Sequence, residues 1–172
     1  APFVMAKANE AFSRTPEIYD TTIGWRFTNK KLAQMYYPYS MGETAENVAK
    51  QWGVTREEQD EFAYQSQLKY QKAKEAGKFK DELLAYSIPQ KKGDPILFAE
   101  DEHPRLSPLE KLAELKPAFI KDGSVTAGNS SGINDGAALL ILADEETVVK
   151  NNLSPMARVV SFGVAGVDPS IM

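Results

Sequence analysis

Cysteine is absent from this chain of 172 residues. That excludes disulfides, thiolate metal sites and any cysteine nucleophile carried by the chain itself. Histidine occurs once, as His103, so one imidazole is all that is present for acid–base work near neutral pH. No stretch approaches the roughly 18 consecutive apolar residues that a spanning helix requires. A hydrophobic share of 42% and a mean hydropathy of -0.39 fit a globular chain without a membrane partner. A strong charge bias is missing too: 20 Lys and Arg stand against 24 Asp and Glu, a net charge of -4. This argues against a general nucleic-acid binder, whose affinity rests on phosphate contacts. The N-terminus shows no charged segment followed by an apolar run, so nothing there reads as a signal peptide.

What is present amounts to one medium domain or two smaller pieces, enough to bury a core without staples. Both ends suggest an internal piece of a longer protein: the chain begins Ala1-Pro2-Phe3 and stops shortly after the apolar run 157–167. The first forty residues are rich in aromatics (Phe3, Phe12, Tyr19, Trp25, Phe27, Tyr36, Tyr37, Tyr39) without a sustained period, which predicts irregular structure or short helices packed on something else. From Glu43, Ala45, Val48, Ala49 and Trp52 recur at helical spacing, and Gly53 is placed to end that helix. Thr55 and Glu58 then form a capping-box pattern opening a second helix, with Phe62, Ala63, Ser66, Tyr70 and Ala73 on one face and Gly77 at its end. The two make a helical hairpin. Residues 83–88 and 96–98, separated by a basic turn, predict a small β-ribbon. Ser107-Pro108-Leu109-Glu110 repeats the capping logic, with Pro108 in the first helical position, for a helix running through Leu112 and Leu115 to Pro117.

Composition shifts at Gly123. Four glycines fall within 123–136, and the run 137–143 is almost wholly apolar. That run reads as a strand buried on both faces, followed by a short helix over 145–151 and a further apolar strand over 157–162. The organisation is therefore a mostly helical, polar module over residues 1–122 and part of a sheet-centred α/β core over 123–172.

The small-residue stretch 126–136 is the most informative place for chemistry. Its glycines and hydroxyls suit close approach of a linear polar ligand, and equally a tight loop leading into a packed strand. Neither a P-loop nor a dinucleotide-binding glycine pattern occurs. His103 precedes Pro104 in a charged loop with no nucleophile signature beside it, which favours a loop role over a general base. Arg105, with Lys91, Lys92 and Lys111 nearby in sequence, suits either a phosphate or ordinary surface charge. Met41 suits a pocket wall or plain core packing, and the pattern favours the core.

Longer motifs carry a resemblance. Residues 40–49 (SMGETAENVA), 55–63 (TREEQDEFA), 116–119 (KPAF) and 125–138 (VTAGNSSGINDGAA) resemble the thiolase family, the acyl-CoA:acetyl-CoA C-acyltransferases. Residues 20–27 and 101–105 are most similar to its degradative branch, including thiolases acting on 3-oxoadipyl-CoA. The resemblance implies a five-layered α/β/α/β/α fold of two similar halves. This chain would be a fragment of it: the mostly helical loop domain with its lead-in (1–122), inserted in the first half, and returning strands and helix of the first α/β core half (123–172). The family's nucleophilic cysteine would lie before Ala1, and its Gly-His-Pro histidine and second cysteine beyond Met172. No catalytic residue and no metal ligand is therefore expected here, and His103-Pro104 is a decoy. The coenzyme A site should remain: Met41 at the pantetheine and acyl pocket, Arg105 near the adenosine phosphates, Leu112, Leu115 and Phe119 bordering adenine and pantetheine, Ala127 and Ser131 touching the pantetheine arm. Coenzyme A enters as substrate, with no cofactor. A cytoplasmic homo-oligomer, dimer or tetramer, is implied for the parent enzyme. The rival expectation is a stand-alone acyl-CoA-binding or assembly module.

Overall fold

A serine, a glutamate three residues on and a glycine twelve residues after the start define a helix with both ends marked in the sequence. In the computed structural model, which describes residues 3–5, 7, 16–22 and 24–172, helix α2 spans Met41–Trp52. The Ser40 hydroxyl accepts from the Glu43 amide while the Glu43 carboxylate accepts from the Ser40 amide, a reciprocal capping box. The helix thus begins two residues before the expected Glu43. It stops at Gly53, whose φ of +67° is the left-handed conformation that side chains resist. Helix α3, Arg56–Glu75, opens on the expected capping box of Thr55 and Glu58.

The buried faces of the two helices differ from the apolar stripes of the sequence. On α2 the buried residues are Gly42, Thr44, Glu46 and Ala49, while Ala45 and Trp52 are exposed. On α3 Asp60 alone is buried, and the partly covered positions Arg56, Ala63, Gln67 and Tyr70 extend its row, whereas Phe62 is 78% exposed. The spacing 56, 60, 63, 67, 70 is a clean helical face. It is largely polar: Asp60 meets the side chains of Arg56 and Asn129, and Arg56 meets the carbonyls of Leu112 and Leu115.

The lead-in holds an antiparallel pair, β1 (Phe3–Met5) with β2 (Ile18–Asp20), and the short helix α1 (Lys30–Met35), capped by Asn29. Short helices were expected there, but the strand pair was not. Ala1, Pro2, Phe12 and Ile23 lie outside the described residues. Aromatic contacts tie the segment together: Tyr37 and Tyr39 meet edge to face at 4.6 Å, and the Trp25 indole donates to the Tyr39 carbonyl at 2.8 Å. The ribbon is present as β3 (Tyr86–Ile88) and β4 (Ile96–Phe98), antiparallel with Ser87 opposite Leu97. Helix α4 is only Leu109–Ala113; Pro108 occupies its N-cap and no side chain caps it, so the expected Ser107 cap and the extension through Leu115 are not formed.

Contacts divide the chain into two units, Ala1–Ser131 with Asp168–Met172, and Gly132–Val167. The second contains helix α5, Glu145–Lys150, capped by Asp144 where a short helix was expected. The strands expected over 137–143 and 157–162 are not formed: both runs are irregular and exposed. A strand is defined by pairing, and among the described residues no other strand offers these runs a partner. No helix among the described residues is long and apolar enough to cross a membrane.

Candidate functional site

Two acidic side chains on α2 and α3 organise the small-residue loop 124–131. Glu46, only 8% exposed, points its carboxylate at the turn that follows Asp122 and Gly123. Both its oxygens accept from the Ser124 amide, at 2.8 and 2.9 Å; the Val125 amide donates at 2.7 Å and the Ser124 hydroxyl at 2.9 Å. Burial pushes the Glu46 pKa up, but the amides of Ser124 and Val125 and the Ser124 hydroxyl outweigh it and hold the carboxyl below the ordinary glutamate range.

Asp60, 4% exposed, holds the far side of the same loop. It accepts from Arg56 Nε at 2.7 Å and from Asn129 Nδ2 at 2.9 Å. Asn129 also donates to the Ser124 carbonyl at 3.0 Å and accepts from the Thr126 amide at 2.7 Å, closing the loop on itself. Thr126 is completely buried; its hydroxyl accepts from the Gly128 amide at 3.1 Å, and its carbonyl accepts from the Ser130 hydroxyl at 2.6 Å. Gln59 adds a donor to the Ser124 hydroxyl at 2.9 Å. Among the described residues no buried side-chain nitrogen or oxygen lacks a partner. A fully satisfied polar network of this kind specifies one loop geometry, because each alternative would leave a buried group unpaired.

Arg56 extends the network to α4. Its Nη2 donates to the carbonyl of Leu112, which also accepts from the Leu115 amide, and to the carbonyl of Leu115 just beyond that short helix. Leu112 and Leu115 thereby come to lie over Gly128: a Cβ on that glycine would sit 2.7 Å from a Leu112 methyl and 2.6 Å from a Leu115 methyl. A side chain on this glycine would make both leucine ends shift. Next to it the loop turns Ala127 outward, and Ser131 is likewise exposed with no hydrogen bond on its hydroxyl.

The remaining expected site residues fall in two other places. Met41 is exposed and lines a groove of about 370 Å³ with Val48, Val54 and Ile171, so it is a groove wall rather than core. Phe119 packs its ring flat against Gly42, at the start of the same helix. Arg105 borders a separate hollow of about 460 Å³ beside α3, with Tyr70 and Lys74, and its backbone amide donates to the Gln67 side chain at 2.9 Å. The structure thus brings Leu112, Leu115 and the Ala127 loop together, seats Phe119 against Gly42, places Met41 in the groove wall, and keeps Arg105 in a different hollow. His103 is exposed in its loop. No cluster of three or more metal-binding side chains occurs among the described residues.

Sequence reasoning missed Glu46, Arg56, Asp60 and Asn129. The available signal was periodicity: Gly42, Glu46 and Ala49 share a helical face, as do Arg56, Asp60 and Ala63, which puts charged groups in line with small residues.

Comparison with known proteins places these features in a family. A family model for the thiolase N-terminal domain matches residues 5–146. The beta-ketoadipyl-CoA thiolase of Acinetobacter baylyi is 50% identical over 100% of this chain, which covers 43% of that protein. The crystal structure of the Bacillus anthracis acetyl-CoA acetyltransferase superposes with a TM-score of 0.73 at 42% identity, over 98% of this chain and 42% of that one. The human mitochondrial 3-ketoacyl-CoA thiolase in complex with CoA superposes with a TM-score of 0.75 at 36% identity, over 99% of this chain and 41% of that one. The chain therefore spans less than half the length of each of these relatives, and its mixture of helices and strands is a thiolase-like α/β arrangement. On the match of the family model over most of its length, this chain belongs to the thiolase family.

Proposed function

We propose that this chain is the coenzyme A- and acyl-CoA-binding part of a thiolase, an acyltransferase that moves an acyl group between a 3-ketoacyl-CoA and coenzyme A through a cysteine acyl-enzyme. The observation that carries the reading is the braced loop 124–131, which turns Ala127 and Ser131 outward from a small-residue turn backed by Leu112 and Leu115. Such a surface suits the pantetheine arm: apolar walls for its methylenes and gem-dimethyl group, and a free hydroxyl for an amide. Met41 and Phe119 extend the apolar wall toward the acyl end, and the Arg105 guanidinium serves the phosphates.

In this reading residues 1–122 are the loop domain with its lead-in, and 123–172 are returning elements of the first core half. The zero cysteine count assigns the covalent chemistry to the remainder of the enzyme. There a thiolate attacks the 3-keto carbonyl, the bond between C2 and C3 breaks, acetyl-CoA leaves, and the thiol of a second coenzyme A takes the acyl group from sulfur. This chain binds and orients, holding the substrate so that the thiolate can reach its 3-keto carbonyl. The name of the Acinetobacter relative favours 3-oxoadipyl-CoA as the substrate class; a role in aromatic degradation and a cytoplasmic homo-oligomer are parts of the proposal that rest on the family resemblance alone.

The test is direct. The purified 172-residue chain should show no thiolysis of acetoacetyl-CoA or of 3-oxoadipyl-CoA, whereas the complete enzyme should lose affinity for coenzyme A on Ser131→Ala. Thiolysis by the isolated chain, or an unchanged KM for coenzyme A in the Ser131→Ala enzyme, overturns the assignment. Tight coenzyme A binding by an inactive, monomeric chain would favour the stand-alone module.

A further inference from the structure

Nothing in the coenzyme A reading explains why two carboxylates should be buried beneath a loop of small residues. Neither Glu46 nor Asp60 lines the Met41 groove or the Arg105 hollow, and burying a carboxylate is costly unless it is well paired. Both are spent on the same eight residues. Glu46 grips the entry of the loop at Ser124 and Val125, and Asp60 grips its far side through Asn129. Between these two grips the loop folds over Thr126 by its own hydrogen bonds. The portion left facing outward, Ala127 and Ser131, is the portion that would meet ligand.

Resting on the coenzyme A reading of that loop, we infer that Glu46 and Asp60 are positioning residues for it: they touch no substrate, and act on coenzyme A affinity by fixing where Ser131 and the backbone around Ala127 stand. The carboxylate is needed for its acceptor capacity. Four hydrogen bonds converge on Glu46 from three donor groups, and every donor is an N–H or O–H. A glutamine has one oxygen where glutamate has two, and its NH₂ would face donors. An aspartate is one methylene shorter and withdraws from both amides. Asp60 likewise faces only N–H donors, from Arg56 and Asn129, and a guanidinium is always charged, so an amide at position 60 cannot replace it. In a loop held this way a ligand meets a preformed surface and does not have to order it, which is where preorganisation gains affinity.

The experiment is a double-substitution cycle in the complete enzyme, reading KM for coenzyme A, kcat and thermal midpoint for Glu46→Gln, Ser131→Ala and the pair. Glu46→Gln should raise KM for coenzyme A roughly tenfold, the order of one charge-assisted hydrogen bond, with kcat at saturating coenzyme A falling by less. The pair should be no worse in KM than Glu46→Gln alone, because Ser131 is then no longer in place to be lost, while the thermal midpoint still reports the Glu46 change. Two results separate the failures. If Ser131→Ala raises KM and Glu46→Gln lowers only the thermal midpoint, the positioning role is overturned and the coenzyme A reading stands. If Ser131→Ala leaves KM unchanged, the coenzyme A reading falls first and takes this inference with it. Additive effects on KM also overturn it, since they make the two residues independent. Should Glu46→Gln not fold, Asp60→Asn in the same cycle with Ser131→Ala tests the other grip against the same outcomes.

Discussion

Arg56→Met removes the one cation that, among the described residues, reaches into the buried network, and its cost can be worked from the contacts. Arg56 Nε meets Asp60 Oδ2 at 2.7 Å, with side-chain exposures of 21% and 6%. Methionine keeps much of the stem volume but leaves Asp60 with only the Asn129 donor, takes the guanidinium from the Leu115 carbonyl, and leaves the Leu112 carbonyl with backbone donors alone. Removing one member of a buried ion pair costs about 3–5 kcal/mol. Arg56 retains some contact with water, which places the expectation at the lower end, about 3 kcal/mol. Against the roughly 5–15 kcal/mol that holds a domain together, this is a large fraction. Arg56→Lys keeps the charge but not the planar fork that reaches a carboxylate and two carbonyls at once, so it should recover less than half of the loss. Removing both charges, in Arg56→Met with Asp60→Leu, should cost less than the sum of the single changes, because no unpaired ion remains buried. Urea unfolding followed by the fluorescence of Trp25 and Trp52 reads these differences as midpoint shifts at constant slope. A loss below about 1 kcal/mol for Arg56→Met, the level of an exposed pair, would refute the claim that this network is the brace of the loop.

Three further outcomes follow from the same geometry. The folded-state pKa of Glu46 lies below its ordinary value of 4.5, so its contribution to stability is complete above that value and is lost as the pH falls through the depressed one; urea midpoints taken through the acid range should decline more steeply in the native protein than in Glu46→Gln, and parallel profiles would contradict this. Gly42→Ala should destabilise by about 1–3 kcal/mol through overpacking against the Phe119 ring, although glycine-to-alanine in an open helix position gains about 1 kcal/mol; a stabilised variant in thermal unfolding would show that the ring moves aside freely. The run 139–142, with exposures of 89%, 85%, 90% and 82%, should make the isolated chain self-associate with rising concentration in sedimentation, and Ile141→Lys should suppress this; a monomer at every concentration would refute it.

Local signals account for the elements that were legible in the sequence. Thr55 with Glu58 and the glycine at 53 act within a few residues, and the structure uses them as read. The ribbon over 86–88 and 96–98 was equally local, set by a basic turn between two β-branched or aromatic runs. The pair Phe3–Met5 with Ile18–Asp20 was not, because its partners are separated by a stretch with no turn signal of its own. The runs 137–143 and 157–162 were misread for the opposite reason. Their composition is that of buried strands, but composition states only what surroundings a segment requires, and pairing requires a neighbour that the described residues do not provide.

The candidate site was half legible, and the division falls along a physical line. The stretch 126–136 stood out because small residues and hydroxyls are unusual in that density, and the family resemblance pointed to Leu112, Leu115 and Phe119 as residues of the same site. What supports the loop did not, because Glu46, Arg56 and Asp60 lie among the charged residues of two polar helices and, one at a time, each looks like solvated surface. Charge alone cannot separate an exposed glutamate from a buried one. The distinction lies in what stands opposite: a loop that passes with its amides inward cannot bury them against valine or leucine without leaving the N–H groups unpaired, but it can against a carboxylate. The inner face of α2 is therefore polar because Glu46 meets loop amides, that of α3 because Asp60 meets the Arg56 and Asn129 side chains, and Gly128 of the same loop lies beneath two leucines. The helices' charges and the loop's small residues are one arrangement, and a reading that seeks apolar stripes will recognise only the half that resembles a core.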